Sequence, residues 1–238
     1  MRLCLVHGFS QTGASWEPVA AHLRGAGHDV VTPDAPGHGA KASAPAGLWD
    51  GARALADEVG PAVWIGYSMG GRYALHVALA EPAVVTRLVV VSATAGIGDE
   101  GDRVARRAAD ARLATEIERD GVEAFVDAWL GRPMWATLAP ERAGREQRLA
   151  NTAAGLAASL RLAGAGTQEP LWDHLPAISV PTLVVTGELD RAYRDLGRRM
   201  ATSLPHATLA EVYGQLNDVL HAREHRDRGR WLQAQDQD

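Results

Sequence analysis

Cysteine is nearly absent: Cys4 is the only one in 238 residues, which excludes an intramolecular disulfide. Set within Leu3-Cys4-Leu5-Val6, it reads as a buried strand thiol rather than a reactive one. Phenylalanine and tyrosine are scarce, at two and four, against seven tryptophans, so tryptophan carries most of the aromatic surface available to a pocket. Long apolar runs are also missing. No window approaches the ~18 apolar residues of a membrane span. The apolar stretch at the N-terminus is too short for a signal h-region and runs straight into fold sequence, so the expected setting is the cytoplasm. There is no basic excess: 24 Lys and Arg against 29 Asp and Glu leave a net charge of −5. That gives no electrostatic case for nucleic acid or an anionic membrane. Neither a metal-ligand cluster nor a dinucleotide fingerprint is present, so no metal and no cofactor is expected. The expected partner is a small-molecule substrate, and nothing in the sequence points to an oligomeric state.

What is present is an ordinary globular balance, 46% apolar and 22% charged, at a length that suits one α/β domain with an inserted lid. Short apolar runs alternate with helical stretches, the pattern of a parallel sheet with crossover helices. Strands are expected at Leu3–Val6, Asp29–Thr32, Val63–Gly66, Arg87–Ser92, Thr182–Thr186 and Thr208–Val212, buried on both faces. Helices are expected at Trp16–Arg24, Leu48–Glu58, Gly70–Ala80, Tyr193–Ser203 and Arg223–Gln235. Residues 97–171 break the rhythm. They hold no strand-like run, and helices are expected to open at Arg103-Val104-Ala105-Arg106-Arg107 and to cover Glu123–Leu130. Such an insertion reads as a helical cap (97–171) over the carboxyl edge of a core made from 1–96 and 172–238, where open α/β sheets bind ligands.

Gly66-Tyr67-Ser68-Met69-Gly70 follows the apolar run Ala62-Val63-Trp64-Ile65 and is followed by Gly71. A G-x-S-x-G placed between a buried strand and a helix is a nucleophile elbow, which presents Ser68 Oγ at the end of the sheet in a strained turn. A phosphate-binding turn is the weaker alternative, because Arg72 stands where a P-loop lysine would be. His7-Gly8-Phe9 follows the first strand. Backbone N–H groups of Phe9 and Met69 are therefore the expected oxyanion hole, while the His7 side chain is expected to make a structural hydrogen bond. Asp34-Ala35-Pro36-Gly37-His38-Gly39 reads as a sharp structural turn. In Leu183-Val184-Val185-Thr186-Gly187-Glu188-Leu189-Asp190 a strand ends in a carboxylate, and Asp190 is the expected acid of a triad in the order nucleophile, acid, histidine. The histidine belongs on the loop after the last strand, Tyr213-Gly214-Gln215-Leu216-Asn217-Asp218-Val219-Leu220-His221.

These residues together resemble the α/β-hydrolase superfamily, and within it the 2-succinyl-6-hydroxy-2,4-cyclohexadiene-1-carboxylate synthase branch of menaquinone biosynthesis. The marks are Val6-His7-Gly8-Phe9 with Gly13 and Trp16, Pro36-Gly37-His38-Gly39, the elbow through Arg72, and Gly187-Glu188-Leu189-Asp190. In the cap they are Ala105-Arg106-Arg107, Phe125-Val126-Asp127-Ala128-Trp129, and Gly166-Thr167-Gln168 leading to Leu171-Trp172. The resemblance implies proton abstraction and elimination of pyruvate from a cyclic precursor rather than ester hydrolysis. It implies Ser68 and Asp190 as triad members, Arg72 and Arg106 as carboxylate anchors, and Tyr67 and Trp129 as further contacts to substrate. An arginine fork suits a carboxylate because it pairs both oxygens at once.

The chain departs from that branch at the third triad member. The family pattern glycine, any residue, glycine, histidine falls on Gly214-Gln215-Leu216-Asn217, so Asn217 stands in the histidine position. An amide can hydrogen-bond to Ser68 but cannot take its proton near neutral pH. His221, one helical turn further, is the candidate replacement base. The leading expectation is therefore non-hydrolytic chemistry, an elimination, C–C lyase or cyclisation step on a small anionic oxo-acid or polyketide-like substrate. One alternative is the synthase proper, or a serine esterase or thioesterase, using His221. The other is a ligand-binding protein on a hydrolase scaffold.

Overall fold

The structure is a computed structural model that describes residues 1–135 and 138–212. Six strands form one sheet: β1 Arg2–Val6, β2 Asp29–Val31, β3 Ala62–Tyr67, β4 Val85–Val91, β5 Thr182–Gly187 and β6 Ala207–Val212. They lie in the order β2-β1-β3-β4-β5-β6, and every pairing is parallel. Each strand expected from the sequence is there, with ends shifted by a residue or two. The order reverses beside β1, the place where crevices open at the carboxyl ends of α/β strands.

Strand side chains alternate between two cores. Cys4 and Val6 of β1, with Trp64 of β3, enter the larger one, around Leu55, Tyr73, Leu75 and Leu88. Leu3 and Leu5, with Val63 and Tyr67, enter the other, against Trp16 and Ala20. The period of two thus feeds both faces, and each large aliphatic side chain buried there contributes roughly 1.5–3 kcal/mol. Cys4 is fully buried and unpaired, and burial pushes its thiol pKa upward. The expectation of two-sided burial fails at β6, whose residues are mostly half-exposed; with only β5 paired to it among the described residues, it has one neighbour to pack on.

Helices α1 Glu17–Gly25, α2 Leu48–Val59, α3 Met69–Ala80 and α7 Arg191–Ser203 are the crossovers, close to their expected positions. The expected helix at Arg223–Gln235 lies outside the described residues. Between β4 and β5 the chain is helical: α4 Glu100–Leu130, α5 Arg145–Leu149 and α6 Ala153–Ala163. The two helices expected early in this segment are one run broken at Gly121, whose φ of 84° and ψ of 169° suit only glycine. Asp99 starts that run by accepting the Asp102 N–H at 2.8 Å. The segment packs on its own cluster of Ile117, Phe125, Val126, Leu156 and Leu160, joined by Phe9 from the loop after β1. Among the described residues no helix is long and apolar enough to cross a membrane.

Candidate active site

β3 ends at Tyr67 and α3 begins at Met69, leaving Ser68 alone in the turn with φ 52° and ψ −110°. Such a backbone costs about 1–3 kcal/mol and persists only where its surroundings enforce it. Here they do. The Ser68 N–H donates to Val91 O at 2.9 Å. A Cβ on Gly66 would lie 2.2 Å from Gly70 O, and one on Gly70 would lie 2.0 Å from Val6 O. The motif's glycines therefore let α3 press against the ends of β3 and β1, which brings Ser68 beside the loop after β1.

That loop, Gly8–Gln11, has nearly every polar group engaged. The Gly8 N–H donates to Gln11 Oε1 at 2.9 Å, and the Gln11 N–H returns to Gly8 O at 3.1 Å. The Ser10 N–H donates to His38 Nε2 at 3.3 Å. The Phe9 N–H has no acceptor among the described residues, and the Met69 N–H, first in its helix, has no intrahelical one. Donors without an acceptor among the described residues, near a serine, would suit an oxyanion. The Phe9 ring meets Phe125 and Trp129 of α4 edge-on at centroid distances of 6.0 and 5.6 Å, tying the loop to the helical segment.

His7 and His38 are structural, as the sequence suggests for both. His7 Nε2 accepts the Ala35 N–H at 3.0 Å, and its Nδ1 meets Gly8 O at 2.8 Å. His38 Nδ1 meets Pro36 O at 3.1 Å while Nε2 takes the Ser10 N–H. Burial lowers their pKa values to about 4 and about 3, so both rings are neutral at pH 7 with both nitrogens in use. Neither is placed to serve as a base for Ser68. In the unfolded chain these rings take a proton near pH 6.5 that the fold excludes, so stability falls as pH drops below that value toward 4. Urea midpoints at pH 7.5, 6 and 5 are expected to decline in that order, with a shallower decline in His38→Gln. Asp34 is structural too, its carboxylate accepting the Gly13 and Ala40 N–H groups at 2.7 and 2.8 Å.

Ser68, Met69, Phe9, Arg72, Arg106 and Trp129 line one cavity of about 810 Å³ between the sheet's carboxyl edge and the helical segment. Arg72, in the first turn of α3, is 8% exposed and donates Nη1 to Ala163 O at 2.6 Å. No carboxylate pairs with it among the described residues, and burial lowers its pKa. Arg106 is half-exposed and gives Nε to the buried Asp110 at 2.9 Å. The Trp129 Nε1 is buried without an acceptor among the described residues. Acidic side chains share the wall, Asp99, Asp102 and Glu116 among them.

The remaining expected residues lie elsewhere. Tyr67 packs in the second core with its ring against Gly8; it does not line the cavity, and burial raises its pKa. Asp190 caps α7 by accepting the Tyr193 N–H at 3.3 Å, and it is close enough to Tyr67 to raise that phenol's pKa further. Its neighbours Ala192 and Tyr193 reach the cavity. Asn217 and His221 lie outside the described residues. Among the described residues no His, Cys, Asp and Glu cluster could hold a metal. Sequence reasoning passed over Tyr193, Arg148 and Asn151. The last two are buried in the helical segment and bonded to the β1 loop, and nothing local separates Arg148 from the other arginines of that stretch.

A sequence profile described as the alpha/beta hydrolase family matches residues 5–229. A 2-succinyl-6-hydroxy-2,4-cyclohexadiene-1-carboxylate synthase of Enterobacter sp. (strain 638) is 33% identical over 79% of this chain and 75% of its own. A Bacillus subtilis protein provisionally given the same name is 36% identical over 68% of this chain, a match that spans 61% of its own length. Among solved structures, MenH from S. aureus superposes with a TM-score of 0.85 at 27% identity, over 93% of this chain and 88% of that one. The chain belongs to the alpha/beta hydrolase family, with 2-succinyl-6-hydroxy-2,4-cyclohexadiene-1-carboxylate synthases among its relatives.

Proposed function

We propose that this protein is a lyase- or cyclase-type member of its family, acting by proton abstraction on a small anionic oxo-acid or polyketide-like substrate. One observation carries the reading. Phe9 and Met69, whose N–H groups have no acceptor among the described residues, line the same cavity as a buried arginine with no described carboxylate partner. Arg72, helped by Arg106, would hold a substrate carboxylate, and Trp129 Nε1 has a hydrogen bond to give. When a carbon next to a carbonyl loses its proton, negative charge gathers on the carbonyl oxygen. The Phe9 and Met69 amides would stabilise that charge without a covalent serine adduct. Ser68 would relay the proton from the substrate carbon to the departing enolate, which leaves as the keto acid, so that the proton lost at one carbon is gained at the other. Asp190 would orient that relay, and Tyr67 would act from behind the elbow. Residues 97–171 would serve as the cap that excludes water from this step, over a core of 1–96 and 172–238.

The test is pyruvate release from the cyclic precursor used by the synthase relatives, followed by a coupled lactate dehydrogenase assay. Saturable release is the expected result. Tight binding of that precursor with no release would sink the reading and leave a binding protein.

The strained backbone of Ser68 favours a second reading, a serine esterase or thioesterase that uses His221 as base. A fluorophosphonate probe separates the two. With Asn217 in the histidine position, Ser68 is expected to label at least tenfold more slowly than in a serine esterase of intact triad. Fast labelling that His221→Ala abolishes would reverse that conclusion.

A further inference from the structure

Arg148 is 1% exposed, and no carboxylate pairs with it among the described residues. A cation so placed is expensive unless its hydrogen bonds are met; Nε and Nη1 are bonded, while Nη2 is buried with no partner among the described residues. Its Nε donates to Ala143 O at 3.0 Å, and its guanidinium carbon lies 5.0 Å from the centre of the Trp135 ring. Its Nη1 reaches the loop after β1, with Ser10 Oγ in close contact and Phe9 O at 3.5 Å. Asn151, three residues on, donates Nδ2 to Ser10 O at 2.9 Å and spans toward Gln11 O at 3.5 Å. Between them the two side chains hold the carbonyls on both sides of the Ser10 peptide. Ser10 itself has φ 64°, a left-handed conformation unusual for a residue with a Cβ. The contacts from Arg148 and Asn151, with the His38 bond to its N–H, fix it there.

We infer that Arg148, assisted by Asn151, is a positioning residue for the oxyanion hole: it clamps the Gly8–Gln11 loop in the conformation that leaves the Phe9 N–H unbonded beside Ser68. Neither side chain lines the cavity, so the action is through the loop and not on substrate. The fork of the guanidinium matters, because it serves Ala143, Phe9 and Ser10 from one plane. The clamp also makes the loop's geometry depend on the helical segment. A shift of α5 (Arg145–Leu149) would carry the Phe9 amide with it.

The inference rests on the proposed role of Phe9, and its test is chosen to stand without it. Arg148→Met, Arg148→Lys and Ser10→Ala are made in the full chain. Amide hydrogen exchange is followed by NMR together with kcat and KM for pyruvate release. Arg148→Met is expected to speed exchange at Ser10 and Gln11 at least tenfold while Val63 and Trp64 in β3 keep their protection. It is expected to lower kcat about 10–100-fold with KM within about threefold, since one misplaced oxyanion donor acts on turnover. Arg148→Lys and Ser10→Ala should fall between wild type and Arg148→Met, and they keep the test open if Arg148→Met does not fold. Unchanged exchange at Ser10 and Gln11 in all three variants would overturn the clamp. A tenfold rise in KM with kcat retained would also overturn it, by placing the guanidinium on the substrate. If the wild-type protein releases no pyruvate, the proposed function fails, and the exchange data alone decide on the clamp.

Discussion

Arg72→Met is expected to lower kcat/KM for the anionic substrate about 10²–10³-fold, or about 2.7–4 kcal/mol, while the melting temperature moves by only a few degrees. The split follows from the surroundings of Arg72. Its guanidinium is buried against a backbone carbonyl with no described carboxylate to balance it, so the folded protein carries an unpaired charge. Removing that charge relieves desolvation. It also strands Ala163 O, at about 1–3 kcal/mol, and the two effects oppose each other. Turnover has no such compensation on the proposed reading, in which a substrate anion would lose its buried partner. Arg72→Lys keeps the charge but loses the planar fork and should recover only part of the activity. Parallel kinetics and thermal unfolding decide the matter. An equal loss of stability and activity would make Arg72 a structural residue, and full activity in Arg72→Met would remove it from the site.

Gly70→Ala is expected to have the opposite signature, a collapse of stability that takes activity with it. The added methyl would meet Val6 O at 2.0 Å and His7 O at 2.7 Å, both backbone atoms that cannot step aside. Relief requires α3 to back away from β1, which pulls Met69 and Ser68 from the loop that carries Phe9. A clash of this kind costs about 3–5 kcal/mol, and at this chain length each kcal/mol is worth roughly 2–4 °C, so the melting temperature should fall by about 6–20 °C. Gly25→Ala at the end of α1 is the control. Its Cβ would meet nothing within 4 Å, and helix propensity makes that change neutral or slightly stabilising. Circular dichroism melts of the two variants would show the contrast, and a Gly70→Ala melt matching wild type would contradict this account of the elbow.

The sheet was legible because its strands are short apolar runs, and in the central ones alternate side chains both have cores to enter, as Leu3 and Cys4 do on opposite faces of β1. The elbow was legible because its G-x-S-x-G pattern is local and sits between an apolar run and a helical stretch, and Gly66 is set by contact with Gly70; that Gly70 is set by Val6 and His7 of β1 and its loop was not. Arg72 and Arg106 were reached only through family resemblance, since a buried arginine and a solvated one look alike in sequence. Residues whose partners are distant in the chain were hidden for the same reason: Arg148 meets Ser10, 138 residues away, and no local pattern announces that contact. The break at Gly121 agrees with the two separate helices expected before and after it, although glycine alone does not mark the position, since within a helical pattern it is often tolerated without a change of direction. The comparison of Asn217 with His221 turns on residues outside those described here, so labelling of Ser68 is the experiment that decides between them.

Cys4 sits at the middle of β1, between Val31 of β2 and Trp64 of β3, with no exposed surface and a thiol that burial keeps protonated. A thiol reagent can reach it only when the sheet itself parts. The protein thus carries its own clock for global opening: the rate of disulfide exchange with an aromatic disulfide reagent at Cys4 measures that event alone. A second cysteine placed on the exposed face of α4 would react at once and selectively, so dyes could follow the helical segment during turnover with the native thiol left in place.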